Sequence, residues 1–120
     1  MPLLRIQHVQ LAMPTGKEDA ARAFYVGVLG LVEVPKPENL ARRGGCWFEH
    51  QDIRVHLGVE KEFLPARKAH PAFEVENLAE MIRTLEAAGH PVRNDEPLEG
   101  WNRIYVDDPF GNRIELMEPI

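Results

Sequence analysis

The sequence predicts an α+β protein made of two βαβββ modules related by a pseudo-twofold repeat, and three observations carry that reading. The halves superimpose when His70 is laid on His8, so that the segments IQHVQLA (6–12) and KAHPAFEV (68–75) coincide. The spacing from Gly30 to His56 and from Gly89 to Glu115 is the same, 26 positions. Each half also carries one stretch with helical 3–4 spacing, set among short runs that alternate apolar and polar residues as strands do.

In chain order, residues 4–12 read as the first strand. Thr15 with Glu18 has the form of a capping box at the start of a helix, along which Ala21, Phe24, Tyr25, Val28 and Leu29 share one face up to Gly30. Strands follow at about 31–34, 45–49 and 53–60, with Pro35 and Pro37 as turn punctuation. A short charged connector, residues 60–68, is too brief to separate independent domains, so the expectation is one domain over 1–120, with modules at about 1–60 and 69–120. The second half repeats the order. A strand at 70–75 leads to the Asn77 and Glu80 capping pair, a helix with Leu78, Met81, Ile82, Leu85 and Ala88 on one face, the stop at Gly89, and strands at 91–94, 102–107 and 112–118.

Composition limits the function classes. At 120 residues and 44% hydrophobic content the chain can bury a core without staples. The single Cys46 can form no intramolecular disulfide, no apolar core of a signal peptide follows Met1, and the expectation is a cytoplasmic protein. A net charge of -5 with dispersed basic residues argues against nucleic acid, and no apolar run approaches the ~20 residues of a membrane span. Cys46 reads as a small packing residue, and His50 and His90, which lack repeat partners, as solvated turn residues.

Alternation then assigns faces. Ile53, Val55 and Leu57 share one side of the fourth strand and His56 takes the other; Ile114 and Leu116 are likewise opposed to Glu115. In the first strands Val9 and Leu11, or Phe73 and Val75, form the apolar set opposite His8 and His70. With the apolar sets on the helices, His8, His56, His70 and Glu115 lie on the face around which a sheet can curl. Three imidazoles and a carboxylate suit a borderline divalent metal. Taken singly, each has an ordinary reading as a surface or hydrogen-bonded residue, and Glu115 as an ion-pair partner of Arg113 or Arg54. Their coincidence in face and repeat position favours one site.

FYVGVLGL (24–31), WFEHQDIRVHLGVE (47–60), HPAFEVENL (70–78) and above all RIYVDDPFGNRIELME (103–118) resemble the vicinal oxygen chelate superfamily of glyoxalases, bleomycin-resistance proteins and extradiol dioxygenases. The resemblance spans nearly the whole chain. It implies mixed sheets curled into an open barrel-like cavity around one divalent ion per chain (Zn, Ni, Mn or Fe(II)), with ligands on the first and fourth strand of each module. His8, His56, His70 and Glu115 fall on those places. It further implies Lewis-acid chemistry on a small oxygen-chelating substrate with Glu115 as the catalytic carboxylate, or, as the alternative, metal-free sequestration of a drug or metabolite, and in either case a homodimer.

Where glyoxalase I-like members carry a carboxylate on the fourth strand of the first module, this chain has His56, which leaves two roles open: fourth ligand, or acid/base beside the metal. Arg103 is a candidate for an anionic substrate group, and Tyr105, Trp47 and Phe48 are candidate cavity-lining aromatics.

Overall fold

A computed structural model describes residues 2–120 and divides the chain into two compact units, Met1–Leu64 and Pro65–Ile120. The first contains β1 (Val9–Met13), α1 (Glu18–Tyr25), β2 (Val32–Val34), α2 (Glu38–Ala41), β3 (Cys46–His50) and β4 (Ile53–Val59). Its sheet has the order β1-β4-β3-β2, with β1 parallel to β4 and the other pairs antiparallel. The second contains β5 (Ala72–Glu74), α3 (Leu78–Ala87), β6 (Trp101–Asp107) and β7 (Arg113–Pro119) in the order β5-β7-β6, with β5 parallel to β7. The fold is α+β with the same topology in both units, as the repeat predicts. Neither sheet closes on itself as a barrel. No helix among the described residues is long and apolar enough to cross a membrane.

Two expected strands start late, and one shrinks to a bridge. Residues 4–8 have no partner strand, so β1 begins at Val9, where it meets Val55. Pro71 has no N–H to give to a ladder; its carbonyl accepts from the Glu115 amide, and β5 begins at Ala72. The strand expected at 91–94 is reduced to the pairing of Arg93 with Tyr105, because Pro91 before it and the turn-forming Asn94 and Asp95 after it leave one residue able to pair.

The helices bury one face each. Ala21, Phe24 and Tyr25 of α1 are buried, and Tyr25 stacks on Phe48 of β3 with ring centroids 5.4 Å apart. Leu78 and Leu85 are the buried residues of α3. The two N-termini differ from each other. Asn77 caps α3, its side chain accepting from the Glu80 amide at 3.1 Å, as the sequence pattern predicts. The Thr15 capping box does not form: Lys17 is the N-cap, without a side-chain cap bond, and Glu18 instead accepts from the Gly45 amide at 2.9 Å. Gly45 has φ +85°, and a Cβ there would collide with the Leu57 carbonyl oxygen, so β3 approaches β4 too closely for any other residue. The Glu18 bond uses the amide of that same residue.

The DPFGN segment is a turn whose polar side chains serve its own backbone. One Asp108 carboxylate oxygen accepts from the Phe110 and Asn112 amides, both at 2.9 Å, and the other accepts from the Asn112 side-chain amide at 3.0 Å. The Asn112 side-chain oxygen Oδ1 accepts from the Ala66 amide, and the Arg113 amide donates to the Ala66 carbonyl. The end of the connector is thereby sewn to the second unit. The turn sets the β6–β7 register, in which Tyr105 lies opposite Glu115.

Two measurements check these local accounts. Asn77→Ala should destabilise the protein by about 1 kcal/mol in urea denaturation, whereas Thr15→Ala should change stability by less than about 0.5 kcal/mol; the reverse order would contradict the cap assignment. Cys46 is buried, and that burial pushes its thiol up to about 11. A disulfide reagent at about pH 8 should label native protein slowly and denatured protein fast; fast native labelling would contradict this placement.

Candidate functional site

In the second unit, β7 holds Glu115 between Ala72 of β5 and Tyr105 of β6, on the face opposite Ile114 and Leu116. Glu115 is only 7% exposed, and a buried carboxylate must be compensated. Two groups do this. His70, two residues before Ala72 and on the same side, places Nε2 2.9 Å from Glu115 Oε1 across the space that the small Ala72 leaves open. Arg103, one pleat from Tyr105, places Nη1 3.3 Å from Oε2. Arg103 is itself held, donating to the Tyr105 hydroxyl at 3.0 Å and to the Glu96 carbonyl at 2.7 Å. The His70 ring meets Tyr105 edge-on at 5.2 Å.

The second nitrogen of His70 decides what this pair can do. Nδ1 lies 2.8 Å from the Lys68 carbonyl, which can only accept, so Nδ1 carries the hydrogen. In a neutral ring Nε2 then presents a lone pair to a carboxylate oxygen. Two acceptors at 2.9 Å require a cation in common, either a proton or a metal ion. A backbone carbonyl that fixes the tautomer is also the usual support of a metal-binding histidine. Bonds of about 2.0–2.1 Å put two ligands about 2.9 Å apart at right angles and about 3.4 Å apart in a tetrahedron. The spacing and chemistry of His70 and Glu115 therefore fit a divalent ion.

In the first unit, β4 holds His56 between Gln10 of β1 and Trp47 of β3. Its ring is sandwiched: Trp47 lies parallel at 3.9 Å, and His8, exposed just before β1, stacks on the other side at 4.1 Å. Burial, and then the neighbouring His8, lower the His56 pKa, so the ring is held neutral at neutral pH. Parallel rings aim their lone pairs side by side and not at a common point. Among the described residues no group of three or more His, Cys, Asp or Glu is arranged to hold a metal ion. The structure thus brings the four expected donors together as two pairs, His8 with His56 and His70 with Glu115.

The other expected residues divide. Trp47, Tyr105 and Arg103 stand on the donor-bearing faces of their sheets. Phe48 does not: it is fully buried on the helix side against Tyr25, and the expectation that it lines a ligand cavity is corrected. Glu115 pairs with Arg103 and with neither partner expected from sequence: Arg113 lies over the Tyr105 ring at 4.9 Å, and Arg54 donates to the Gln7 carbonyl.

The family model described as the Glyoxalase/Bleomycin resistance protein/Dioxygenase superfamily matches residues 5–116. A crystal structure of a glyoxalase family protein from Bacillus anthracis is 48% identical and superimposes with a TM-score of 0.94 over 98% of this chain and 97% of that one. A glyoxalase family protein from Enterococcus faecalis is 25% identical, with a TM-score of 0.74 over 98% of this chain and all of that one. The Arabidopsis thaliana protein named Glyoxylase I 4 is 30% identical over 109 residues, which is 82% of this chain and 62% of that relative's length. With the family model covering nearly its whole length, this chain belongs to the glyoxalase/bleomycin resistance/dioxygenase superfamily.

Proposed function

We propose that the protein is a divalent-metal-dependent enzyme acting on a small oxygen-chelating substrate, with His70 and Glu115 as metal ligands; the sequence repeat nominates His8 and His56 as well, but their stacked rings do not aim at a common point. The observation that carries this reading is the His70–Glu115 pair, with Nε2 and Oε1 2.9 Å apart and Nδ1 held by the Lys68 carbonyl. When bound, the ion supplies Lewis acidity, polarising substrate oxygens and stabilising negative charge as it develops.

The side chains around it have separate tasks. Arg103 orients Glu115 while its own position is set by Tyr105 and Glu96. Glu115, buried beside His70, is placed to hold a proton removed from a substrate carbon. Tyr105 walls the site beside both ligands. The name of the Arabidopsis relative suggests glyoxalase I chemistry, but His56, where that activity commonly has a carboxylate, weighs against it.

A second reading, a binding protein without catalysis, is favoured by one observation: Glu115 already has two partners, His70 and Arg103. Metal linkage separates the two. Chelator-treated protein should gain roughly 10 °C in melting temperature when Zn, Ni, Mn or Fe(II) is added at about 100 times its dissociation constant. His70→Ala and Glu115→Gln should each abolish the gain. A melting temperature unmoved by all four ions would favour the binding protein.

We also propose a homodimer. Leu3, Leu4 and Ile6 place three large apolar side chains in four residues at 82%, 81% and 77% exposure, a concentration that marks association surfaces. Sedimentation equilibrium at micromolar concentration should find twice the 13.7 kDa chain mass, and Leu3→Ser/Leu4→Ser/Ile6→Ser should find the chain mass. A wild-type monomer would contradict the dimer.

A further inference from the structure

The second unit has a cleft of about 270 Å³ whose lining includes Arg67, Arg93, Arg113 and Asp107. In the β6–β7 register Asp107 is paired with Arg113, beside the Tyr105–Glu115 pair, so the cleft opens on the same sheet face as Glu115, about 7 Å further along the strands. Three guanidiniums converge there in a chain whose net charge is -5. One is compensated: Arg93 Nη2 donates to Asp107 Oδ1 at 2.9 Å. Among the described residues neither Arg67 nor Arg113 is in a salt bridge, Arg113 having only a longer-range attraction to Asp95, and the Arg113 Nε–H is buried without any hydrogen bond, its guanidinium resting on the Tyr105 ring.

An unsatisfied buried donor is costly unless a ligand completes it. Arg113 has its plane fixed by the aromatic ring, and its fork is therefore set in advance for bidentate recognition of an oxyanion. Two guanidiniums outside any salt bridge, beside the paired Arg93 and Asp107, match a ligand bearing two negative charges. The volume is below that of a pocket for a whole drug-sized molecule, and it suits a single head group.

We propose that this cleft binds a dianionic oxyanion of the phosphate type, free or as the charged end of a small molecule. That such a ligand would also reach Glu115 rests on the metal-enzyme reading; the cleft itself does not. The other basic groove offers less: in the first unit Lys36 and Arg43 lie near Trp47, but the Lys36 ammonium is already taken by the Gly44 carbonyl.

The test is titration of chelator-treated protein with inorganic phosphate at constant ionic strength, followed by calorimetry and by phosphorus NMR line width. Saturable one-to-one binding is expected, and sulfate should compete. Arg67→Gln, at an exposed position that cannot unfold the chain, should weaken binding about tenfold. Arg113→Gln should weaken it at least as much, with its melting curve reporting whether the fold is intact. Lys36→Gln/Arg43→Gln should leave it unchanged. Because guanidiniums stay charged throughout, tighter binding at about pH 8 than at about pH 6 reports preference for the dianion. Binding that does not saturate, that survives Arg67→Gln, or that is lost only in the Lys36/Arg43 variant would overturn the assignment. Metal binding that fails while phosphate still binds would overturn the enzyme reading and leave the cleft standing.

Discussion

Of the two buried carboxylates in the second unit, Asp108 is satisfied by the amides of its own turn, and the site is organised around the other, Glu115. An unpaired carboxylate in the place of Glu115 would destabilise the fold by several kcal/mol, so the sequence must bring cations to it. The Asp108–Asn112 turn sets the β6–β7 register and with it the depth of Glu115. The bond from Ala66 to Asn112 ties the connector to that turn, and the parallel pairing of β5 with β7 carries His70 to the opposite side of the carboxylate. The motif is therefore largely a positioning device: its aspartate and asparagine bond to backbone and fix the place of its glutamate, seven residues on from Asp108.

The two units use one topology for different chemistry. His56 and Glu115 occupy corresponding central places, flanked by Gln10 and Trp47 in one sheet and by Ala72 and Tyr105 in the other. Where the second unit has Arg103, two residues before its flanking aromatic, the first has Gly45, forced to be glycine by the Leu57 carbonyl. The first unit consequently has no counterpart of Arg103 beside its central residue. It holds a neutral histidine by stacking, while the second holds a carboxylate by ion pairing.

Much of this was legible from residue order alone. Period-two alternation put His56 and Glu115 on the correct faces, and the Asn77 cap and the left-handed Gly30 and Gly89 matched their patterns. The misses have physical causes. The spacing of Thr15 and Glu18 predicts a capping pair because local spacing is visible in sequence and the distant amide of Gly45 is not. Adjacent residues of a strand face opposite ways, so alternation separates Phe48 from Trp47. The ring stack of His8, His56 and Trp47 depends on side-chain torsions that no periodicity encodes. No periodicity marks Arg67 or Arg93, because one lies in a connector and the other in a strand reduced to a single bridge; only the Asp107–Arg113 pairing brings out the basic cleft.

The central claim is that His70 Nε2 and Glu115 Oε1 share a metal ion and not merely a proton. Anomalous scattering from crystals grown with Zn or Ni tests it most directly. The account predicts one strong peak about 2.0–2.2 Å from both atoms, with His70 Nδ1 still donating to the Lys68 carbonyl. A metal-rich crystal with no peak between them, or a peak elsewhere while His70 and Glu115 remain in direct contact, would contradict it.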